Sequence, residues 1–286
     1  MDFEAPHAHS YRPLIINVAL TGIVPAKVKY PNLPVTPEEI GKDVHTCFEL
    51  GARVFHLHMR DKNDGPVQDS GLFAETIGII REQTPEAIVC VTTSSRASVS
   101  FEDRVAPLLL AGELRPEFGS LTAGSFNFPN SVSTNSPDDI KVLLQTMKER
   151  GIRPEIEVFE PGMVDYVKKL ITEGLVTAPY VFNILLGSSG ASSADLLSLV
   201  NFLSRLPDQS EWALAGIGKF QLPTIVQAIV AGGNVRVGME DSPRQMGIDS
   251  WSNAKAVAFA AETARLLGRP IESPSQARER LGVESR

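Results

Sequence analysis

Short apolar, β-branched runs alternate with longer amphipathic segments from one end of the chain to the other. The runs at Leu14–Leu20, Arg53–His58, Ile88–Thr93, Phe118–Thr122, Glu155–Phe159, Tyr180–Leu186, Trp212–Ala215 and Val235–Gly238 read as strands. Between them lie helical patterns with recognisable starts. Thr36-Pro37-Glu38-Glu39 and Ser136-Pro137-Asp138-Asp139 each place a capping hydroxyl before a proline at the first helical position. Glu160-Pro161-Gly162-Met163 opens a helix through Leu170, and Asp195–Leu206 and Leu222–Ala231 follow the sixth and seventh strands. Strands separated by helix-length crossovers pair in parallel. Eight such units in about 250 residues predict an α/β chain closed into a (β/α)8 TIM barrel. An open doubly wound sheet is disfavoured, because Thr21-Gly22 after the first strand leads into a Pro/Lys-rich loop rather than a GxGxxG turn.

No linker, repeat or low-complexity stretch interrupts the pattern, so residues 1–286 are expected to form a single domain. Residues 1–12 read as an N-terminal tail and about 270–286 as a C-terminal extension, either a surface segment or a subunit contact. With 43% hydrophobic and 21% charged residues the chain can bury a large core. A net charge of −7 argues against nucleic acid as a partner. The two cysteines, Cys47 and Cys90, lie in apolar segments and read as buried thiols. Neither a signal peptide nor an apolar run of the ~20 residues that a membrane span requires is visible. The expectation is a cytoplasmic protein.

The sharpest chemical signal is Val54-Phe55-His56-Leu57-His58-Met59-Arg60-Asp61. Residues two apart on a strand share a face, and this pair lies at the carboxyl end of the second strand, where barrel active sites are built. Two imidazoles side by side suit a divalent metal better than core packing. Arg236-Val237-Gly238-Met239-Glu240-Asp241 ends the eighth strand and offers Glu240 as a third ligand. His56, His58 and Glu240 would then leave an open position on zinc. Asp241 beside them suits proton abstraction, with Arg236 orienting it; the plain alternative is a structural Arg236–Asp241 ion pair. On the fifth strand, Glu157 is a candidate partner for the metal site or Arg236, while Glu155 reads equally well as a rim residue and Glu160 as a helix-start acid. Hydroxyls at the ends of the third and fourth strands, Thr92 and Ser120 with Thr122 among them, could bind carboxylate or carbonyl oxygens. Gly187-Ser188-Ser189-Gly190 could cradle a phosphate with backbone N–H groups. Serine catalysis is a poor fit: there is no GxSxG elbow, and His7, His9 and His45 lie in the tail and first helix.

VFHLHMRD at Val54–Asp61, YPNLPVTPEEI at Tyr30–Ile40, SLTAGSFNF at Ser120–Phe128, EIEVFEPGMVDY at Glu155–Tyr166 and NVRVGMED at Asn234–Asp241 together resemble the β-keto acid cleavage enzymes. The resemblance runs in order from about Leu14 to Pro270. It implies a zinc-dependent barrel, a homotetramer, converting a β-keto acid and acetyl-CoA into acetoacetate and a new acyl-CoA by enolate attack and retro-Claisen cleavage. By motif, it puts the zinc on His56, His58 and Glu240, the base on Asp241 with Arg236 as its partner, and substrate hydroxyls on Thr92 and Ser120. The family's founding type carries a glutamate in the loop after the first strand, where this chain has Val24. A cationic substrate is therefore not expected; Val24 would line an apolar wall, and Lys27 could meet a second carboxylate, a CoA phosphate or nothing. The same ligands would also serve a CoA-independent metal-assisted aldolase or hydrolase on a β-dicarbonyl substrate, or a non-catalytic metal- and ligand-binding barrel.

Overall fold

The structure, a computed structural model, describes residues 11–96, 100–248 and 250–284. His7, His9 and most of the expected N-terminal tail lie outside the described residues. Eight parallel strands close a barrel in chain order: β1 (Ile16–Ala19), β2 (Ala52–Leu57), β3 (Ile88–Val91), β4 (Phe118–Thr122), β5 (Arg153–Val158), β6 (Tyr180–Leu186), β7 (Ser210–Gly216) and β8 (Asn234–Val237), with β8 pairing back onto β1. The expected TIM barrel is the observed fold. Every expected strand is present, with ends shifted by up to two residues; Leu14, placed in the first strand, instead bridges to Ile271.

The helices form where the sequence supplies caps. In α1 (Pro37–Glu49) the Thr36 side chain accepts from Glu39 N while the Glu39 side chain closes back on the cap, and Ser136 with Asp139 does the same for α4 (Pro137–Arg150). Helices α2 (Ser70–Gln83) and α3 (Phe101–Val105) follow the second and third strands, α4 the fourth, α5 (Pro161–Thr172), α6 (Leu196–Leu203) and α7 (Gln221–Val230) the fifth, sixth and seventh, and α8 (Asn253–Leu266) the eighth. Glu160 sits at the start of α5 without capping it; its carboxylate accepts from Ser192 Oγ at 2.9 Å instead. Two short antiparallel ribbons, Met59–Arg60 with Pro66–Val67 and Phe126–Phe128 with Ser131–Ser133, stand on the carboxyl rim of the barrel and build up its walls.

The C-terminal extension is neither a loose surface tail nor free for a subunit contact along its apolar face. Helix α9 (Pro274–Leu281) plugs the amino-terminal end of the barrel, with Ala277 and Leu281 packed among Ile15, Val54, Ile88, Phe118 and Val181. Arg278 anchors it on Glu117 at 2.9 Å, and Arg280 on Glu211 and Glu272 at 2.6 and 2.8 Å. Burial of Leu281 alone is worth about 1.5–3 kcal/mol. With that end closed, the open face is the carboxyl one.

Candidate metal and acid–base centre

The carboxyl face holds a cavity of about 670 Å³ lined by His56, His58, Glu157, Arg236, Glu240 and Asp241 at its floor. His56 and His58 stand with ring centroids 5.0 Å apart at the end of β2, as the alternation of the strand requires. Glu240 faces both: its carboxylate oxygens lie 3.4 Å from His58 Nε2 and 3.8 Å from His56 Nε2. The donor atoms of the three residues fall within 4.8 Å of one another.

Strand alternation alone cannot place Glu240 and its neighbour Asp241 on the same side, yet both reach Arg236. Strand β8 ends at Val237, and Gly238 (φ +135°) turns the chain so that a Cβ there would stand 2.1 Å from Ala19 O. Only glycine tolerates that turn and that approach. Asn253 accepts from Met239 N at 2.7 Å and donates to Leu20 O at 3.1 Å, and Gln221 donates to Gly238 O at 2.8 Å. These buried amides staple the turn to the first strand and to α7.

Arg236, 1% exposed, gathers three carboxylates. It donates to Asp241 at 2.9 and 3.2 Å, to Glu157 at 2.8 Å and to Glu240 at 3.1 Å. Its pKa is driven well up: burial opposes the charge, but the three acids outweigh it. Burial holds the Asp241 carboxyl above its ordinary range despite Arg236, with Glu240 and Glu157 adding to the rise. Glu240 is held far below the ordinary range, its burial outweighed by His58, His56 and Arg236. The two adjacent acids are thus pushed apart, one tuned to stay ionised and one to take a proton.

His56 lies between two groups of donors. Its Nε2 looks to Glu240; its Nδ1 lies 3.7 Å from Glu155, which is 1% exposed inside the barrel rather than on a rim. Glu155 also accepts from Asn17 Nδ2 at 2.6 Å and from Cys90 Sγ at 3.3 Å. The Cys90 thiol is pushed well up by burial, so it stays protonated and is a poor ligand. Burial lowers the His58 pKa, leaving a neutral imidazole; burial opposes charge on His56 too, but Glu240 and Glu155 outweigh it. His56 Nδ1 and Glu240 Oε2 are buried without a hydrogen-bond partner among the described residues. Two imidazoles facing a carboxylate whose buried Oε2 lacks a hydrogen-bond partner fit a divalent cation; His56 Nδ1, on the far side of the ring, is turned to Glu155.

The remaining expected residues are placed as follows. Thr92 and Thr122 line the cavity, and Thr122 Oγ1 donates to Glu157 at 3.0 Å. Ser120 is off the cavity wall; its Oγ accepts from Thr93 N at 3.3 Å. Gly187, Ser188 and Ser189 line the cavity, while Gly190 packs against the Asn127 carbonyl, 2.9 Å from where a Cβ would be. Val24, 69% exposed, forms part of the mouth with Ile23 and Pro25. Lys27 does not face the cavity: its Nζ is bound by Leu33 O and Glu39, both at 2.7 Å. Pattern reading missed Asn17, whose strand position gave no chemical signal, and Arg60, which ties the first loop down through Gly22 O and Pro25 O at 2.9 and 2.8 Å. It also missed Arg96, on the cavity wall after β3.

Comparison with known proteins shows the family. A sequence model of the beta-keto acid cleavage enzyme family matches residues 13–283. A 3-keto-5-aminohexanoate cleavage enzyme of Acetoanaerobium sticklandii is 34% identical over 94% of this chain and 98% of its own. A 3-oxoadipate:acetyl-CoA acetyltransferase of Cupriavidus necator is 34% identical over 96% of both chains. Among solved structures, the binary complex of ObcA with oxaloacetate superposes with a TM-score of 0.78 at 20% identity, over 89% of this chain and 68% of that one, a likeness of fold. The chain belongs to the beta-keto acid cleavage enzyme family.

Proposed function

We propose that the protein is a zinc-dependent transferase that converts a β-keto acid and acetyl-CoA into acetoacetate and a new acyl-CoA. The observation that carries this reading is the meeting, on one cavity floor, of a His56–His58–Glu240 donor set with Asp241, a buried carboxylate held by Arg236 and raised by burial above its ordinary range. The name of a relative at 34% identity along nearly the full chain suggests the co-substrate, acetyl-CoA. Zinc fits the donor set, and when bound it supplies Lewis acidity to the oxygens of the keto acid.

The chain's own residues then account for the proton and the carbon–carbon bonds. Asp241 takes a proton from the carbon between the keto and carboxylate groups, and Arg236 holds its carboxylate in line at 2.9 Å. The resulting carbanion attacks the acetyl carbonyl, forming a C–C bond and expelling CoA thiolate. The thiolate attacks the original keto carbon; that carbon's bond to the former carbanion centre breaks, Asp241 returns its proton to that centre, and acetoacetate is released with the remainder left as acyl-CoA. Thr92 and Thr122 offer hydroxyls to the substrate oxygens from the cavity wall, and Glu157 fixes Arg236 and Thr122. Ser120 holds the Thr93 backbone behind that wall. The Gly187–Ser189 segment is offered to CoA.

The cavity also bears on the substrate. Its lining carboxylates, Glu157, Glu240 and Asp241, are all taken by Arg236, and the mouth carries Val24, Ile23 and Pro25. Among the described residues nothing there would receive an ammonium group, so an uncharged or anionic side chain is preferred.

Purified, metal-analysed protein incubated with acetyl-CoA and a panel of β-keto acids should yield acetoacetate together with a new acyl-CoA by mass spectrometry. Asp241→Asn should reduce turnover at least about 10³-fold with stoichiometric metal retained. Silence across the panel with metal bound, or full activity in the variant, overturns the reading.

A further inference from the structure

Arg96 is a guanidinium on the cavity wall without a carboxylate partner among the described residues. Its Nε donates to Ser131 Oγ at 3.3 Å, and the group lies 3.6 Å above the centre of the Phe128 ring. Phe128 is itself buttressed by Phe126 at 4.5 Å and Phe159 at 5.5 Å. Among the described residues no acid lies within ion-pair distance of Arg96; Glu240 and Glu157 act on it only at longer range, and burial lowers its pKa. The other arginine of the cavity, Arg236, is matched by three carboxylates. A partly desolvated, unpaired guanidinium is costly unless something else pairs with it.

The Phe128 ring and Ser131 fix the plane of the group and occupy one edge, leaving the terminal fork for a bidentate acceptor. Beside it the wall is polar, with Asn130, Ser133 and Ser94. We propose that Arg96, with Ser131, is the specificity-determining receptor for a second, distal carboxylate, so that the preferred substrate is a dicarboxylic β-keto acid. This rests on the cleavage reading for the reaction. The binding claim is separable from it, because the keto acid can be bound without acetyl-CoA present. One carboxylate, with the keto group, would lie at the cavity floor, and the other would meet Arg96 on the wall. The anion could instead be a phosphate of CoA, and the two sources separate experimentally.

The test is titration calorimetry of zinc-loaded protein with 3-oxoadipate and with 3-oxohexanoate, equal in chain length and differing in the distal carboxylate. The wild type should bind the dicarboxylate at least about tenfold tighter, as expected for a charged hydrogen-bonded pair. Arg96→Met should remove that preference while leaving the monocarboxylate constant within about threefold, and Arg96→Lys should retain part of it. Acetyl-CoA binding should be unchanged in both variants. No preference in the wild type, equal weakening of both acids in the folded variants, or a loss confined to acetyl-CoA overturns the proposal. Absence of acetoacetate in the turnover assay would overturn the cleavage reading alone.

Discussion

The Glu155 carboxylate, on the fifth strand, reaches through the barrel interior to within 3.7 Å of His56 Nδ1, on the second. Asn17 and Cys90, from two further strands, hold its oxygens at 2.6 and 3.3 Å. A carboxylate behind a ligating imidazole fixes the ring and raises its basicity.

Glu155→Gln keeps the shape and an acceptor for Asn17 but removes the charge behind His56. Metal affinity should fall about 10–100-fold, read by competition with a chromophoric chelator, with the thermal midpoint of the metal-free protein little changed. Unchanged affinity would reduce Glu155 to a packing residue.

Arg236→Met leaves Glu157, Glu240 and Asp241 facing one another without their cation. Removing one partner from such a buried set costs about 3–5 kcal/mol. The orphaned acids would have folded-state pKa values above their unfolded ones, so stability is retained at low pH and lost as pH rises through the folded values. Urea unfolding of the metal-free variant should show a smaller deficit at pH 5 than at pH 8. An equal deficit at both would mean that packing, not charge, is what the arginine supplies.

Gly22→Ala acts on the metal site from the first loop. Gly22 has φ +63°, and a Cβ there would come 2.5 Å from Glu240 Cγ. The left-handed backbone costs an alanine about 1 kcal/mol, and the clash must move the Glu240 side chain. Metal affinity should drop more than about tenfold, out of proportion to a modest loss of stability; a loss of stability alone would show that Glu240 adapts.

Asp43 accepts from Asn253 Nδ2 at 2.7 Å, and burial raises its pKa to about 6. The folded state holds the proton more tightly than the unfolded state, with its ordinary value near 4. The stability tied to this group is therefore complete below about pH 4, falls as pH rises toward 6, and is flat above that. Because the side chain is only partly buried by surface area, the effect should be on the order of 1–2 kcal/mol. Asp43→Asn should match the wild type near pH 4.5 and exceed it in thermal midpoint above pH 6.5. A difference independent of pH would remove Asp43 from the titration.

Much of the site was legible because it is local. His56 and His58 announce themselves by strand alternation, and the acids of Asn234–Asp241 by their place after the eighth apolar run. Where adjacency along the chain does not carry the contact, pattern reading leaves alternatives open. Glu155 was taken to fit a rim as well as an interior, because an acid on a strand says nothing about which carboxylate, thiol or amide closes over it from other strands. For Lys27 the sequence leaves open a second carboxylate, a CoA phosphate or nothing; Glu39 and Leu33 O, brought to it by the fold of the first loop and helix, satisfy its ammonium group.

The sequence by itself determined the order of strands and helices, their caps, the closed barrel and the pair of histidines at its carboxyl end. Each follows from the period of side chains along a few consecutive residues, or from a cap within four residues of its partner. Only the tertiary structure decided that α9 plugs the amino-terminal end, that Arg96 stands unpaired over Phe128, and that Glu240 and Asp241 both turn to Arg236. Those depend on barrel closure and on the bend at Gly238 against Ala19. They are relations between residues as far apart as Ile15 and Leu281, set by the register and packing of eight strands, and no local period encodes them.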